Sequence, residues 1–122
     1  MAVNILKILL VEDIPEEAEL IQRKLKNSTP PCLFKVVMTK QDYIKELNEF
    51  KPDVILSDNQ MPQFSGLEAL EILKQHSPDI PFILVTGTMS EEFAVDIMKA
   101  GADDYLLKDR LSRLPVDIET VL

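Results

Sequence analysis

Five polar side chains follow short apolar segments of the sequence, each at the point where its segment ends. They are Glu12, Asp13, Asp58, Thr86 and Lys108. The apolar segments have the length of buried strands, and the carboxyl ends of parallel strands meet at one edge of a sheet. We therefore expect these side chains to converge on one rim. Three carboxylates in one shallow cleft raise each other's pKa unless a cation balances them.

A divalent metal ion is the simplest cation for such a cluster. Ligands that are all oxygen, without His or Cys, favour Mg²⁺ or Mn²⁺, and Mg²⁺ often shares a phosphate with one or two carboxylates. Phosphoryl transfer also needs an in-line nucleophile and a donor around the phosphoryl oxygens. Asp58 can serve as the nucleophile, while Lys108 and Thr86 can hold the phosphoryl group.

Short apolar runs alternate with segments of helical spacing along the chain. The predicted strands, each hydrophobic on both faces, are Leu6 to Val11, Phe34 to Met38, Val54 to Leu56, Phe82 to Val85 and Tyr105 to Leu107. The helical segments carry apolar residues at Ala18, Ile21, Leu25, then Ile44, Leu47, then Leu67, Leu70, Leu73, then Phe93, Ile97, then Leu111, Leu114, Ile118. The pattern predicts an α/β fold of (βα)₅ type, a doubly wound, five-stranded parallel sheet with helices on both faces.

Local signals for helix ends agree with this pattern. Pro15 suits a first helical turn, and Ser65 with Glu68 has the spacing of a capping box. Ser90 precedes two glutamates at the predicted start of the fourth helix, and Gly101 can end that helix. These signals place the polar rim residues between strands and helices.

The length and net charge of the chain make some classes of function improbable. The 122 residues suit a single domain over 1–122, and the last predicted helix reaches the final residue without a cap, as in a domain excised from a longer protein. A net charge of −8 disfavours direct nucleic-acid binding. The sequence lacks a secretory signal or a membrane-spanning run, and its one cysteine, Cys32, allows no internal disulfide. A cytoplasmic location without membrane contact is expected.

Four motifs together resemble the receiver domains of response regulators in two-component systems, of the chemotaxis-regulator kind. They are VED at 11–13, SDNQMP at 57–62 with Gly66, VTG at 85–87 and AGADDYLLK at 100–108. Each motif alone is weak, but their order and spacing cover essentially the whole chain. The resemblance implies a flavodoxin-like fold and a phospho-switch rather than an enzyme, one that catalyses only its own phosphorylation and dephosphorylation.

The resemblance also implies roles for individual residues. Asp58 would be the phosphoacceptor, and Thr86 and Lys108 would bind the phosphoryl group. The implied metal ligands are Asp13 directly, Glu12 through water, Asp58 and the carbonyl of Gln60. Gln60 and Thr88, each two residues beyond a site residue, would tune the lifetime of the phosphate.

A partner-binding face is implied at the fourth helix, fifth strand and fifth helix. There the aromatic Tyr105 would turn inward when Thr86 shifts toward the phosphate, although a tyrosine at this position can equally be a packing residue. The implied partners are a histidine kinase or phosphotransfer protein as donor, a downstream protein target or a fused output domain, and a second copy in a homodimer.

One position departs from the family pattern. Receivers usually place proline after the lysine, whereas Asp109 follows Lys108 here. Either the peptide bond is trans and the loop is rearranged, or a non-proline cis bond is retained at a functional site.

Plainer interpretations exist for the same residues. Glu12 and Asp13 could cap the first helix, and Asp58 could be a turn residue. Thr86 could be an ordinary strand-end hydroxyl and Lys108 a solvated charge.

Two other functions fit parts of the pattern. A phosphorylation-independent adaptor would use the fold for protein contacts alone, and Asp109 is its main support. A Mg²⁺-dependent aspartyl-phosphate phosphohydrolase would share the nucleophile but commonly has a second Asp two residues later. That position is Gln60, which cannot act as a general acid or base.

Overall fold

The alternating pattern of the sequence forms alternating strands and helices. The computed structural model describes residues 5–26, 31–59, 61, 62, 64–87 and 91–122. The strands are β1 (Leu6–Val11), β2 (Cys32–Val37), β3 (Val54–Ser57), β4 (Phe82–Thr86) and β5 (Asp104–Leu107). The helices are α1 (Pro15–Leu25), α2 (Lys40–Glu49), α3 (Gly66–His76), α4 (Glu91–Lys99) and α5 (Leu114–Val121), with a 3₁₀ helix (Lys108–Arg113) between β5 and α5.

The five strands form one sheet in the order β2-β1-β3-β4-β5, and every neighbouring pair is parallel. This confirms the predicted doubly wound (βα)₅ fold. The molecule has two hydrophobic cores, one on each face of the sheet. Alternate residues of a strand contribute to different cores, because successive side chains point to opposite faces of a sheet. Ile8 and Leu10 pack in one core with residues of α1 and α5. Leu9 and Val11 pack in the other with residues of α2, α3 and α4.

Three of the predicted helix signals are confirmed. Pro15 lies in the first turn of α1. Ser65 and Glu68 form a reciprocal capping box, in which Ser65 Oγ accepts from the Glu68 N–H at 3.2 Å. Gly101 follows α4 with φ +110°, a conformation that favours glycine. Ser90 lies outside the described residues.

The prediction for β2 was wrong in its bounds and in its burial. The strand begins at Cys32 and ends at Val37, and the side chains of Leu33 and Val36 are 49% and 42% exposed. It lies at the edge of the sheet with β1 as its neighbour in the described sheet. An edge strand is covered less completely than an interior one, so apolar residues there do not imply burial on both faces.

The helical prediction around Leu111 was also wrong. Leu111 is buried in the 3₁₀ helix, and α5 begins only at Leu114. Pro115 lies in the first turn of α5, where its missing N–H has no cost. Further along a helix, a proline ring clashes with the carbonyl four residues earlier, which here belongs to Leu111. In the part of the chain described, no helix has the length and apolar character needed to cross a bilayer.

Candidate functional site

The carboxyl ends of the central strands meet at one rim, as the sequence predicts. Val11 at the end of β1 pairs with Ser57 at the end of β3, and the Asp58 N–H donates to the Val11 carbonyl at 2.9 Å. Thr86 at the end of β4 pairs with Leu107, the residue before Lys108. The strand register therefore places the segments carrying Glu12, Asp58, Thr86 and Lys108 next to one another.

The ammonium group of Lys108 lies among three carboxylates. Its Nζ is 2.6 Å from Glu17 Oε2, 2.7 Å from Glu12 Oε1 and 3.4 Å from Asp58 Oδ1. Lys108 is thus not a solvated surface charge, since only 14% of its side chain is exposed. Its contacts tie the end of β5 to the loops after β1 and β3.

Glu17 is the residue of this cluster that the sequence prediction missed as a site residue. It lies in the first turn of α1, directly after the loop that carries Glu12 and Asp13. An acidic residue in the first turn is ordinarily explained by the helix dipole. The signal that could have identified it is its position, because a helix that starts at the carboxyl end of β1 presents its first turn to the rim.

Glu12 does not cap α1, whose N-cap residue is Ile14 with no side-chain cap bond, but binds the backbone of the loop before the helix and the site lysine. Its Oε2 accepts the N–H groups of Asp13 at 3.1 Å and Ile14 at 3.3 Å, while Oε1 accepts from Lys108. Burial raises the pKa of Glu12 to about 7, and the nearby Asp58 charge adds to this, although the bond from Lys108 acts in the opposite direction. A metal-free Glu12 therefore changes charge near neutral pH.

The pKa values of Asp58 and Lys108 are shifted as well. Burial raises the pKa of Asp58, while the Lys108 charge and the Asn59 N–H partly offset the effect. Burial lowers the pKa of Lys108, but its bonds to Glu12 and Glu17 outweigh that effect and leave it above its ordinary value. Lys108 therefore stays protonated, and one positive charge faces three carboxyl groups.

Asp13 has one carboxylate oxygen that is left without a hydrogen-bond partner among the described residues. This oxygen, Oδ1, is buried. A buried carboxylate oxygen without a partner is costly, and a bound cation is one way to satisfy it. Mg²⁺ prefers oxygen ligands of this kind, but among the described residues Asp13 is not part of the group of close carboxylates. The three-carboxylate group formed by Glu12, Glu17 and Asp58, whose oxygens lie within 4.8 Å of one another, encloses the Lys108 ammonium instead.

Gly66 lets α3 approach the backbone of the proposed acceptor. Its N–H donates to the Asn59 carbonyl at 3.0 Å. A Cβ at this position would lie 2.8 Å from the Asp58 carbonyl oxygen, 3.2 Å from Asn59 Cα and 2.6 Å from Leu84 Cδ1. The backbone atoms cannot move aside without shifting the loop that holds the Asp58 carboxylate.

A Gly66→Ala variant should consequently lose stability. We expect the free energy of unfolding to fall by about 2 kcal/mol, the usual scale for an overpacked buried site. Urea denaturation measures this. Gly87→Ala is the matched control, because a Cβ there has no atom within 4 Å. Equal stability of the two variants would contradict the steric role of Gly66.

The remaining predicted site residues lie around or outside this cluster. Thr86 is buried at the end of β4. Tyr105 is 40% exposed, beside a surface groove of about 400 Å³ that it lines with Ala94, Val95, Met98 and Lys99. Gln60 and Thr88 lie outside the described residues. Lys108 and Asp109 begin the 3₁₀ helix, so the segment after β5 continues directly into a tight turn.

Comparison with known proteins identifies the family. Residues 8–118 match the response regulator receiver domain family. The chain is 33% identical over 115 residues to the regulatory protein LuxO of Vibrio cholerae, an alignment that covers 93% of this chain and 25% of LuxO. It is 31% identical over 106 residues to the chemotaxis protein CheY of Listeria monocytogenes, covering 84% of this chain and 86% of CheY.

Solved structures agree with this assignment. The receiver domain of the Francisella response regulator 1452 matches with a TM-score of 0.83 and 26% identity, covering 94% of both chains. The phosphorylated cyanobacterial phytochrome response regulator RcpA matches with a TM-score of 0.79 and 26% identity, covering 95% of this chain and 92% of that one. The chain belongs to the response regulator receiver domain family of two-component systems and has its flavodoxin-like fold. It spans about a quarter of the length of the LuxO relative.

Proposed function

We propose that this receiver domain is a Mg²⁺-dependent phospho-switch that accepts a phosphoryl group on Asp58. The observation that carries the proposal is the position of Lys108, whose ammonium lies 3.4 Å from Asp58 Oδ1 inside a buried acidic cluster. A fixed cation beside a buried carboxylate stabilises the negative charge of a phosphoryl group that is transferred to that carboxylate. The donor is the phosphohistidine of a histidine kinase or phosphotransfer protein.

In the transfer, an Asp58 carboxylate oxygen forms a bond to phosphorus while the bond from phosphorus to the donor nitrogen breaks. Lys108 then balances the phosphoryl charge, and the Thr86 hydroxyl donates to a phosphoryl oxygen. Lys108 and Thr86 thus stabilise negative charge on the phosphoryl group during its transfer. Contacts that are stronger in the transition state than in the ground state lower the activation barrier. Burial keeps bulk water from competing with these donors, since Asp58 is 6% and Thr86 3% exposed.

The residues that would hold Mg²⁺, or Mn²⁺ in its place, are Asp13, Asp58, Glu12 through water and Gln60 through its carbonyl. When bound, the metal neutralises phosphoryl oxygens and fixes their orientation. The buried, unpaired Oδ1 of Asp13 supports this assignment. Glu12 is bonded to Lys108 and to the Asp13 and Ile14 N–H groups, and a contact through water would let it support the metal without losing these bonds.

The output of the switch is a change in the face formed by α4, β5 and α5. Phosphorylation draws Thr86 toward the phosphate, and Tyr105 moves inward against the groove beside α4. A phosphate can favour this arrangement only through contacts that the arrangement improves, and those are the contacts of Thr86 and Lys108. The face then binds a downstream target, a fused output domain or a second copy of the chain. Gln60 and Thr88 set how fast water removes the phosphate.

In this role the domain catalyses its own phosphorylation and dephosphorylation and has no separate substrate to turn over. It works in the cytoplasm, where its kinase and Mg²⁺ are available. The net charge of −8 argues against direct contact with nucleic acid. Hydrolysis of small phosphate esters beyond one equivalent of protein is therefore expected to be negligible.

Acetyl phosphate tests the proposal without the partner kinase. Incubation of the protein with acetyl phosphate and Mg²⁺ should add one phosphoryl group to the intact mass, and EDTA should prevent the addition. Beryllofluoride with Mg²⁺ should shift the backbone NMR signals of Thr86 and Tyr105. The absence of both responses would favour the adaptor function, which needs neither phosphate nor metal.

A further inference from the structure

Glu17 contacts the proposed phosphoryl-binding lysine, yet the transfer described above does not use it. Its Oε2 lies 2.6 Å from Lys108 Nζ, and Glu12 Oε1 lies 2.7 Å from the same atom. The contact from Lys108 to Asp58 is longer, at 3.4 Å. An ammonium group has three N–H donors, so two are committed to glutamates before any phosphoryl group arrives.

This arrangement opposes the addition of charge to Asp58. A carboxylate oxygen of Glu17 lies within 4.8 Å of one of Asp58, so a phosphoryl group would add negative charge close to an existing one. Lys108 has one N–H group left for that charge, and it can offer a second only by turning an N–H group from a glutamate to a phosphoryl oxygen. A contact that is stronger before phosphorylation than after it stabilises the unphosphorylated state.

The two glutamates differ in how readily they can release Lys108. The Glu12 side chain is fully buried and fixed by two backbone N–H groups, so its charge has no access to water. The Glu17 side chain is 36% exposed and can exchange the lysine for water. Glu17 is therefore the partner that Lys108 can leave without stranding a buried carboxylate.

We propose that Glu17 is a positioning residue that holds Lys108 in the unphosphorylated arrangement and thereby slows phosphorylation of Asp58. The inference rests on the proposed function, since it requires Asp58 as acceptor and Lys108 as the cation of the phosphoryl group. The first turn of α1 then directly influences the rate at which Asp58 is phosphorylated.

Glu17→Gln tests this inference, and Glu16→Gln is its matched control. Glu16 lies in the same helical turn and is exposed, so the control removes the same charge without touching the Lys108 contact. The rate of phosphorylation by acetyl phosphate is measured by intact mass at saturating Mg²⁺, in low and in high salt. We expect Glu17→Gln to be roughly two- to fivefold faster than the unmodified protein, the range set by a partly exposed ion pair.

Rates measured in low and high salt distinguish the direct contact between Glu17 and Lys108 from a general effect of removing a negative charge. High salt screens separated charges more strongly than charges in contact, so the gain of Glu17→Gln should persist while any gain of Glu16→Gln disappears. A merely structural role for Glu17 predicts an unchanged or slower rate, which would overturn the inference. Equal gains for both variants that vanish in salt would also overturn it, as would a large loss of Mg²⁺ affinity in Glu17→Gln. If the unmodified protein takes up no phosphoryl group, the proposed function itself fails.

Discussion

An Asp58→Asn variant should take up no detectable phosphoryl group from acetyl phosphate and Mg²⁺. The amide cannot serve as the nucleophile that forms the acyl phosphate, and the other rim carboxylates have assigned roles as metal ligands or partners of Lys108. Intact mass after incubation measures the loss. Asp79→Asn is the control, because Asp79 is an exposed turn residue and its variant should be phosphorylated as fully as the unmodified protein.

The same variant should remain folded, which separates lost chemistry from lost structure. Burial raises the pKa of Asp58, so its ionised form destabilises the folded state at neutral pH. Replacing it with a neutral amide removes that cost in metal-free buffer. We expect a melting temperature equal to or above that of the unmodified protein in EDTA. Persistent phosphoryl uptake by this variant would identify another acceptor and contradict the account.

A Lys108→Met variant should lose both stability and phosphorylation. Removing the ammonium leaves Glu12, Glu17 and Asp58 to repel one another without their shared partner. Breaking a buried ion pair by deleting one partner costs about 3 kcal/mol or more, and we expect about 2–3 kcal/mol here because Glu17 is partly exposed. Urea denaturation at pH 7 in EDTA measures the loss, and phosphoryl uptake from acetyl phosphate should slow by at least about tenfold.

The loss of stability in Lys108→Met should grow as pH rises. The pKa of Glu12 is raised to about 7, so the folded state binds more protons than the unfolded state between its ordinary value near 4.5 and 7. Its ionisation therefore lowers stability through that window, and without Lys108 the pKa rises further. The difference from the unmodified protein should be small at pH 5 and largest at pH 8. Lys45→Met, on the exposed surface of α2, should show no such trend. A difference that is independent of pH would contradict the ion-pair cluster.

The convergence of the rim residues could be predicted because it follows from topology. Once five short apolar runs alternate with helices, parallel strands are required, and the residues after β1, β3 and β5 must meet at one edge. Burial of Glu12 and Asp58 and the contacts of Lys108 agree with that expectation. The order and spacing of the motifs also predicted the protein family, and the comparisons confirm that prediction.

Glu17 could not be assigned in the same way. Whether a first-turn side chain reaches a lysine 91 positions later depends on how α1 lies over the sheet, and the spacing of its apolar residues does not set that. The exposure of β2 was missed because an apolar run does not show whether its strand has one neighbour or two. The start of α5, in contrast, could have been predicted, since Pro115 prevents the helix from beginning as early as Leu111.

Chemical mapping of the phosphorylated residue shows whether Asp58 is the phosphoacceptor. The protein is phosphorylated with acetyl phosphate and Mg²⁺ and then treated with borohydride, which reduces an aspartyl phosphate to homoserine. Peptide mass mapping then locates the modified residue. We expect homoserine at Asp58 and unmodified aspartate at Asp13. Homoserine at another position, or none at all after Mg²⁺-dependent incubation, would contradict the assignment of Asp58 as the phosphoacceptor.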